Sequence, residues 1–252
     1  MNNLLSEWTK LGSVRMTWIL VLSTIASSVA LSLLGVSEIL ASTDTALPPS
    51  WDPTATALKG FLFAQLIIGM MGALSFTAEF ETGTIAGSLI SVPSRLHFFG
   101  AKIIAVTVLA MVTACATTLL SFLLVQAALS NAGIPTADLS QTNVQMALGG
   151  AVLYLVLVAL IGVAVGVLTR SATMSMSVLV AVLLLTPAVG PGLPGAIGPW
   201  FAAFWPITAG QAAYAVVPIE GNIDPFLGLA ILAATATGLC ATAYGALQYR
   251  DI

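Results

Sequence analysis

Side chains able to do acid–base, nucleophilic or metal chemistry are few in this sequence, and they are scattered. His97 is the only histidine, and Cys115 and Cys240 each lie inside a long apolar stretch, where a thiol behaves as a small hydrophobe. No Cys/His cluster with metal-ligand spacing is present, so neither a zinc site nor a disulfide is expected. The nearest approach to a catalytic pair is Glu79 with Glu81. No nucleophile, histidine or metal ligand accompanies them. Glu220 and Asp224 also lack catalytic companions. The phosphate-binding pattern G-x-x-x-x-G-K-[ST] is absent, so the chain is not expected to be an enzyme, to hydrolyse ATP itself or to hold a cofactor.

The elements that must carry these residues are set by composition. Of 252 residues only 7% are charged and 58% are hydrophobic, against about 25% charged in soluble domains. A water-facing surface cannot be covered with so few charges; the solvent must be lipid. A net charge of -3 leaves no basic field for nucleic acid. Crossing a hydrocarbon core takes about 20 apolar residues. Six uncharged runs qualify: 16–36, 60–78, 103–126, 145–168, 175–189 and 226–247. The expectation is a single all-α transmembrane domain over 1–252. The first run is too long for a signal-peptide core and lacks a persuasive A-x-A cleavage site, so it is read as a permanent helix.

Orientation follows from the bases, because Lys and Arg in short loops stay in the cytoplasm. Lys10, Arg15, Arg95, Lys102, Arg170 and Arg250 fall on one side of the six spans, and only Lys59 falls on the other, with Glu38, Asp44, Asp52, Asp138, Glu220 and Asp224. Both termini are therefore expected in the cytoplasm, with the chain multi-pass in the cell inner (plasma) membrane.

Three segments are not spans. In 1–15, Leu4, Leu5, Trp8 and Leu11 share a helical face, with Glu7 and Lys10 on other faces; this amphipathic pattern predicts an interfacial helix on membrane lipid, turning sharply near Arg15. In the coupling region 79–102, Ile85, Leu89 and Val92 share a face between Gly83 and Pro93. A short helix there either presents its apolar face to a partner groove or packs beneath its own bundle. Glu79 and Glu81 either cap the following helix or pair with Arg95 or Lys102. From Pro187 to Pro206 the density of Pro and Gly argues against any continuous helix. The stretch stays apolar, so 190–220 reads as re-entrant short helices with Trp200 and Trp205 at the interface, or as an ordinary external loop.

Within the spans, Gly162 with Gly166 and Ala241 with Gly245 are small-residue pairs that permit close helix contact, within one chain or between two. Gln65, Gln126 and the hydroxyls of Ser23, Thr24, Ser27, Ser28, Thr107, Thr113, Thr117 and Thr118 suit interhelical hydrogen bonds. No intramembrane carboxylate or histidine suggests an ion relay, and no filter or charged ring suggests a channel. Transport would then take its energy from a soluble partner.

The opening Leu5-Ser6-Glu7-Trp8-Thr9-Lys10-Leu11, then Ser13-Val14-Arg15 and a first span bearing Trp18, resembles the amino terminus of ABC transporter permeases of the ABC-2 type, the six-span, actinobacterial-like exporter permeases. Ala78-Glu79-Phe80-Glu81-Thr82-Gly83-Thr84-Ile85, then Val92-Pro93, Arg95 and Ala101-Lys102, is similar to that family's E-x-x-x-G-T loop and coupling helix. The resemblance implies a partner ABC ATPase carrying ATP and Mg, and a second permease, identical or related. It also implies ATPase coupling through Glu79, Glu81, Thr82, Gly83, Thr84, Ile85, Leu89, Val92 and Arg95, and a route lined by the first, second and fifth spans. Apolar walls with Ser, Thr and Met suit an amphipathic drug, lipid or antimicrobial peptide moved outward. The alternative is a non-transporting membrane anchor or sensor whose loop recruits a cytoplasmic partner.

Overall fold

A computed structural model describes residues 2–41, 51–84, 94–216 and 223–249, with side chains from residue 6 onward in the first helix. The described residues are helical throughout their regular structure and contain no strand. The long helices are α2 (Arg15–Ala41), α4 (Phe61–Glu81), α5 (Arg95–Asn131), α6 (Thr142–Thr169), α7 (Ala172–Gly192) and α10 (Pro225–Tyr249), and all six are long and apolar enough to cross a membrane. Among the described residues there are also the short helices α1 (Asn2–Ser13), α3 (Pro53–Ala57), α8 (Ile197–Phe204) and α9 (Pro206–Gln211), the last followed by a 3-10 turn at Ala212–Tyr214.

α6 is the centre, with 72% of its apolar window buried, followed by α4 with 61%, whereas α7 has only 17%. Glycine sets the closest contact: a Cβ added at Gly162 would collide with the carbonyl of Gly69, one at Gly166 with that of Ala73, and one at Gly72 with that of Ala159. The Gly162/Gly166 pair thus packs α6 on α4 within one chain. Gly245 has nothing within 4 Å of an added Cβ, so the second small pair has no such neighbour.

Two sequence expectations change here. α5 begins at Arg95, eight residues before the expected span, so Arg95, His97 and Lys102 are helical and not part of a loop. α7 runs from Ala172 to Gly192, three residues longer at each end than the expected span 175–189 and into the stretch where a break was expected. It does so by way of a π-helical turn at Ala181–Leu185, with Thr186 N–H bonding to Ala181 O. The wider turn leaves Val182 O free, and Pro187, lacking an N–H, leaves Leu183 O free. Side chains take both: Trp205 Nε1 donates to Val182 O at 3.1 Å and Gln65 Nε2 to Leu183 O at 3.1 Å. That is how an irregular turn survives in an apolar bundle. Beyond it, α8 and α9 are short helices separated at Trp205 and Pro206, with Ile207, Ala209 and Gly210 buried.

Polar spans also behave differently from the expectation. Thr24, Thr107, Thr113 and Thr117 bond back to carbonyls four residues earlier, and Ser23 and Ser27 to carbonyls three earlier, which is the local alternative open to such hydroxyls. Of the expected interhelical hydroxyls, Ser28 bridges helices, its Oγ 2.9 Å from Ser121 Oγ on α5. At the end away from most bases, acids act as caps. Asp52 Oδ1 accepts from Thr54 N and Ala55 N, its Oδ2 accepts from Val216 N at 2.8 Å, and Asp224 caps α10. Gln126 joins Pro53 O to Ala137 N there.

Candidate functional site

At the other end of the bundle four charged side chains close into a ring. Lys102, only 2% exposed on α5, donates to Glu79 Oε1 at 2.6 Å and lies 3.3 Å from Glu7 Oε2. Lys10 lies 3.0 Å from Glu7 Oε1 and 3.3 Å from Glu79 Oε1. Two acids and two bases sum to zero, which lets carboxylates and an ammonium share a dry site. Lys102 is held further by Ser75 O at 2.8 Å and by the faces of Phe76 and Phe98, 4.8 and 5.3 Å away. Partial burial pulls the Lys10 pKa down, but its hydrogen bond to Glu7 and the charge of Glu79 outweigh this, leaving it raised.

Helix register builds the ring. Ser75 and Glu79 are four residues apart on α4, as are Phe98 and Lys102 on α5, so each pair shares a face. On α1, Glu7 is buried and Leu11 is half-buried against the cluster containing Phe76 and Phe98, whereas Trp8 is 48% exposed. Trp8 thus faces outward, while Leu11 of the expected apolar face turns inward together with Glu7. The helix breaks at Val14, and the Trp18 indole donates to Gly12 O at 2.9 Å across the break.

The last turn of α4 touches three other helices and one link. Glu79 reaches α1 and α5 through the ring. Phe80 lies under the Arg170 guanidinium at 5.2 Å, in the link between α6 and α7. Glu81 Oε1 accepts from Ala172 N at 2.8 Å, satisfying a free N–H in the first turn of α7. Thr82 then caps α4, its Oγ1 2.7 Å from Ala78 O and 2.9 Å from Thr84 Oγ1. Gly83 follows at φ 69°, the left-handed conformation that ends helices.

The structure therefore brings Glu79 and Lys102 together, one of the alternatives open in the sequence. It separates Glu81, which caps α7 in place of the helix after α4, and Arg95, which donates to Leu247 O at 2.6 Å and Gln248 O at 3.0 Å at the end of α10. Ile85, Leu89 and Val92 lie outside the described residues, as do the side chains of Leu4 and Leu5. Sequence reading missed Glu7 and Lys10 as members of the site. A signal for Glu7 was present: it falls four residues before Leu11, in register with it on the inward side.

Beside the ring lies a cavity of about 420 Å³ between α1, α2, α4 and α5, with Glu7, Lys10, Glu79 and Lys102 at its polar end. A second polar cluster sits deep in the bundle, where the Tyr154 hydroxyl donates to Gln65 Oε1 and accepts from Gln211 Nε2 at 3.4 Å. Through Gln65 it joins α4, α6 and α9 to the π-helical turn of α7.

Comparison with known proteins agrees with the resemblance carried by residues 5–15 and 78–102. The family model described as "ABC-2 family transporter protein" matches residues 3–187, from α1 to just beyond the π-helical turn. No curated protein and no solved structure matches the chain. A permease of this kind associates with an ABC ATPase subunit. With six apolar helices and that match over most of its length, the chain belongs to the ABC-2 family of transporters and is the membrane permease component of an ABC transporter.

Proposed function

We propose that this permease moves an amphipathic substrate outward, driven by ATP and Mg bound and hydrolysed on a separate nucleotide-binding subunit. The carrying observation is that the last turn of α4 is bonded at Glu79, Phe80 and Glu81 to α1, α5, the Arg170 link and α7. A force applied just beyond this turn, at Thr82, Gly83, Thr84, Ile85, Leu89 and Val92, reaches several helices at once, with Arg95 carrying it to α10. Each nucleotide state must favour one permease conformation, because equal affinity for both shifts nothing.

Of the six bases among the described residues five lie at this end, which supports a cytoplasmic placement of both termini in the plasma membrane. α1, with Trp8 outward, suits the inner lipid surface. α7 and α2 bury only 17% and 28% of their apolar windows, leaving faces for a second permease and a route between the two. α8 and α9, with Trp200 half exposed, suit a re-entrant segment in the outer leaflet.

The test is ATP-dependent movement of an amphiphile in vesicles holding the permease and its ATPase, compared with a variant carrying Asp at positions 85, 89 and 92. Loss of ATPase co-purification and of transport in that variant supports the reading. Retained ATPase binding would remove this docking segment from it. Intact binding without transport by the unaltered pair would leave an anchor or sensor in its place.

A further inference from the structure

The cavity beside the charge ring has one polar end and apolar walls that include Leu20, Met71, Leu74 and Leu109. Its size falls in the range of small-molecule sites, about 300–1,000 Å³. We propose that it binds a single-tailed amphiphile whose head is a protonated amine, with the ammonium taking the place of Lys10 between Glu7 and Glu79 and the tail lying along the apolar wall.

The choice of head follows from the unequal standing of the two lysines. Lys102 is fixed by two carboxylates, a carbonyl and two aromatic rings and is 2% exposed. The two carboxylates thus keep one permanent cation and need one more. Lys10 supplies it from a side chain that is 45% exposed, near the end of α1. Its ammonium already borders water, so it leaves at less cost than Lys102 would, provided that another cation takes its place between the two carboxylates. An incoming ammonium can therefore exchange with Lys10. An anionic head would have to draw Lys10 or Lys102 away from Glu7 and Glu79, leaving two nearly buried carboxylates with a single cation.

Glu79 supplies the second argument. Its Oε2 is shielded from solvent and has no hydrogen-bond partner among the described residues, a costly state for a carboxylate oxygen. A primary ammonium carries three N–H donors, enough to reach this atom as well as the two oxygens that Lys10 serves. The apolar walls then hold the tail by the same burial that would take it into lipid.

Binding is read without ATP or a partner, so its failure leaves the transport reading standing, and failed transport leaves the binding site standing. The full chain in phosphatidylcholine nanodiscs is equilibrated with radiolabelled dodecylammonium at neutral pH, with empty nanodiscs as the blank. The expected result is saturable binding of one ligand per chain above the blank, resisted by neither dodecanol nor dodecyl sulfate at equal concentration. Glu79→Gln weakens it by about tenfold or more, the loss of one charged hydrogen-bond partner. Lys10→Met, which keeps the apolar stem and removes the internal competitor, tightens it, and that gain requires a folded site. Binding no greater than the blank, equal competition by dodecanol, preference for the sulfate, or unchanged affinity in Lys10→Met would each overturn the proposal.

Discussion

The Lys102 ammonium on α5, its side chain almost wholly buried, donates to the Glu79 carboxylate on α4 at 2.6 Å. This single bond joins the residue pair that the sequence separates by a loop, and it turns the exit of α4 into a junction.

Removing one member of the ring should cost far more than removing a balanced pair. Lys102→Met leaves Glu7 and Glu79 facing each other with one partly exposed cation, at a cost of about 3–5 kcal/mol. The double variant Lys102→Met, Glu79→Gln restores neutrality with Glu7 and Lys10 and should recover a large part of that loss. Thermal unfolding of the purified variants in detergent measures both. A double variant no more stable than Lys102→Met would show that the ring is not a charge-balanced unit.

Gly162→Ala pushes a methyl into the Gly69 carbonyl, a backbone atom that cannot turn aside, so α4 and α6 must part. The expected loss is about 1–3 kcal/mol. Gly245→Ala meets nothing within 4 Å and should stay within about 0.5 kcal/mol of the parent. If Gly245→Ala leaves stability intact yet reduces transport, the open face of α10 serves an intermolecular contact.

Glu81→Gln weakens the interaction of a carboxylate with the first turn of α7, a stability effect of about 0.3–1 kcal/mol. On the proposed coupling route its effect on transport should be larger, with ATP hydrolysis continuing while substrate movement falls. Parallel assays of phosphate release and transport in reconstituted vesicles measure the ratio. An unchanged ratio would take Glu81 off the route.

Gln65→Leu removes the donor to Leu183 O and the acceptor of the Tyr154 hydroxyl together. Leaving buried groups unpaired costs about 1–3 kcal/mol. Tyr154→Phe leaves the Leu183 bond in place and should cost less, and the two changes should be less than additive because they share one network. Additive losses in unfolding experiments would mean that the two side chains act separately.

How much of this was legible in the sequence depends on the range over which each feature is determined. Spans are a local property: about twenty apolar residues in a row need lipid whatever their neighbours, so six crossings, the clustering of bases and the break before Arg15 were readable directly. The family resemblance lay in short stretches for the same reason. In α1 the local pattern placed Trp8 on an outward, lipid-facing side, but the burial of Glu7 depends on Lys102 and Lys10, partners that a single helix cannot reveal.

By itself the sequence determined that this protein lies in a membrane, with a segment rich in Glu, Thr and Gly leaving the second span at the basic end. Only tertiary structure decided that Glu79 pairs with Lys102 and Lys10, that Glu81 caps α7, that Arg95 holds the end of α10, and that α7 passes through a π-helical turn and runs on to Gly192. The reason is physical. A charge or a freed carbonyl can be satisfied by any suitable group within reach, and reach is set by which helices lie together. Here the glycine contacts of α4 with α6 fix that arrangement, and the polar side chains at its ends take the partners it brings.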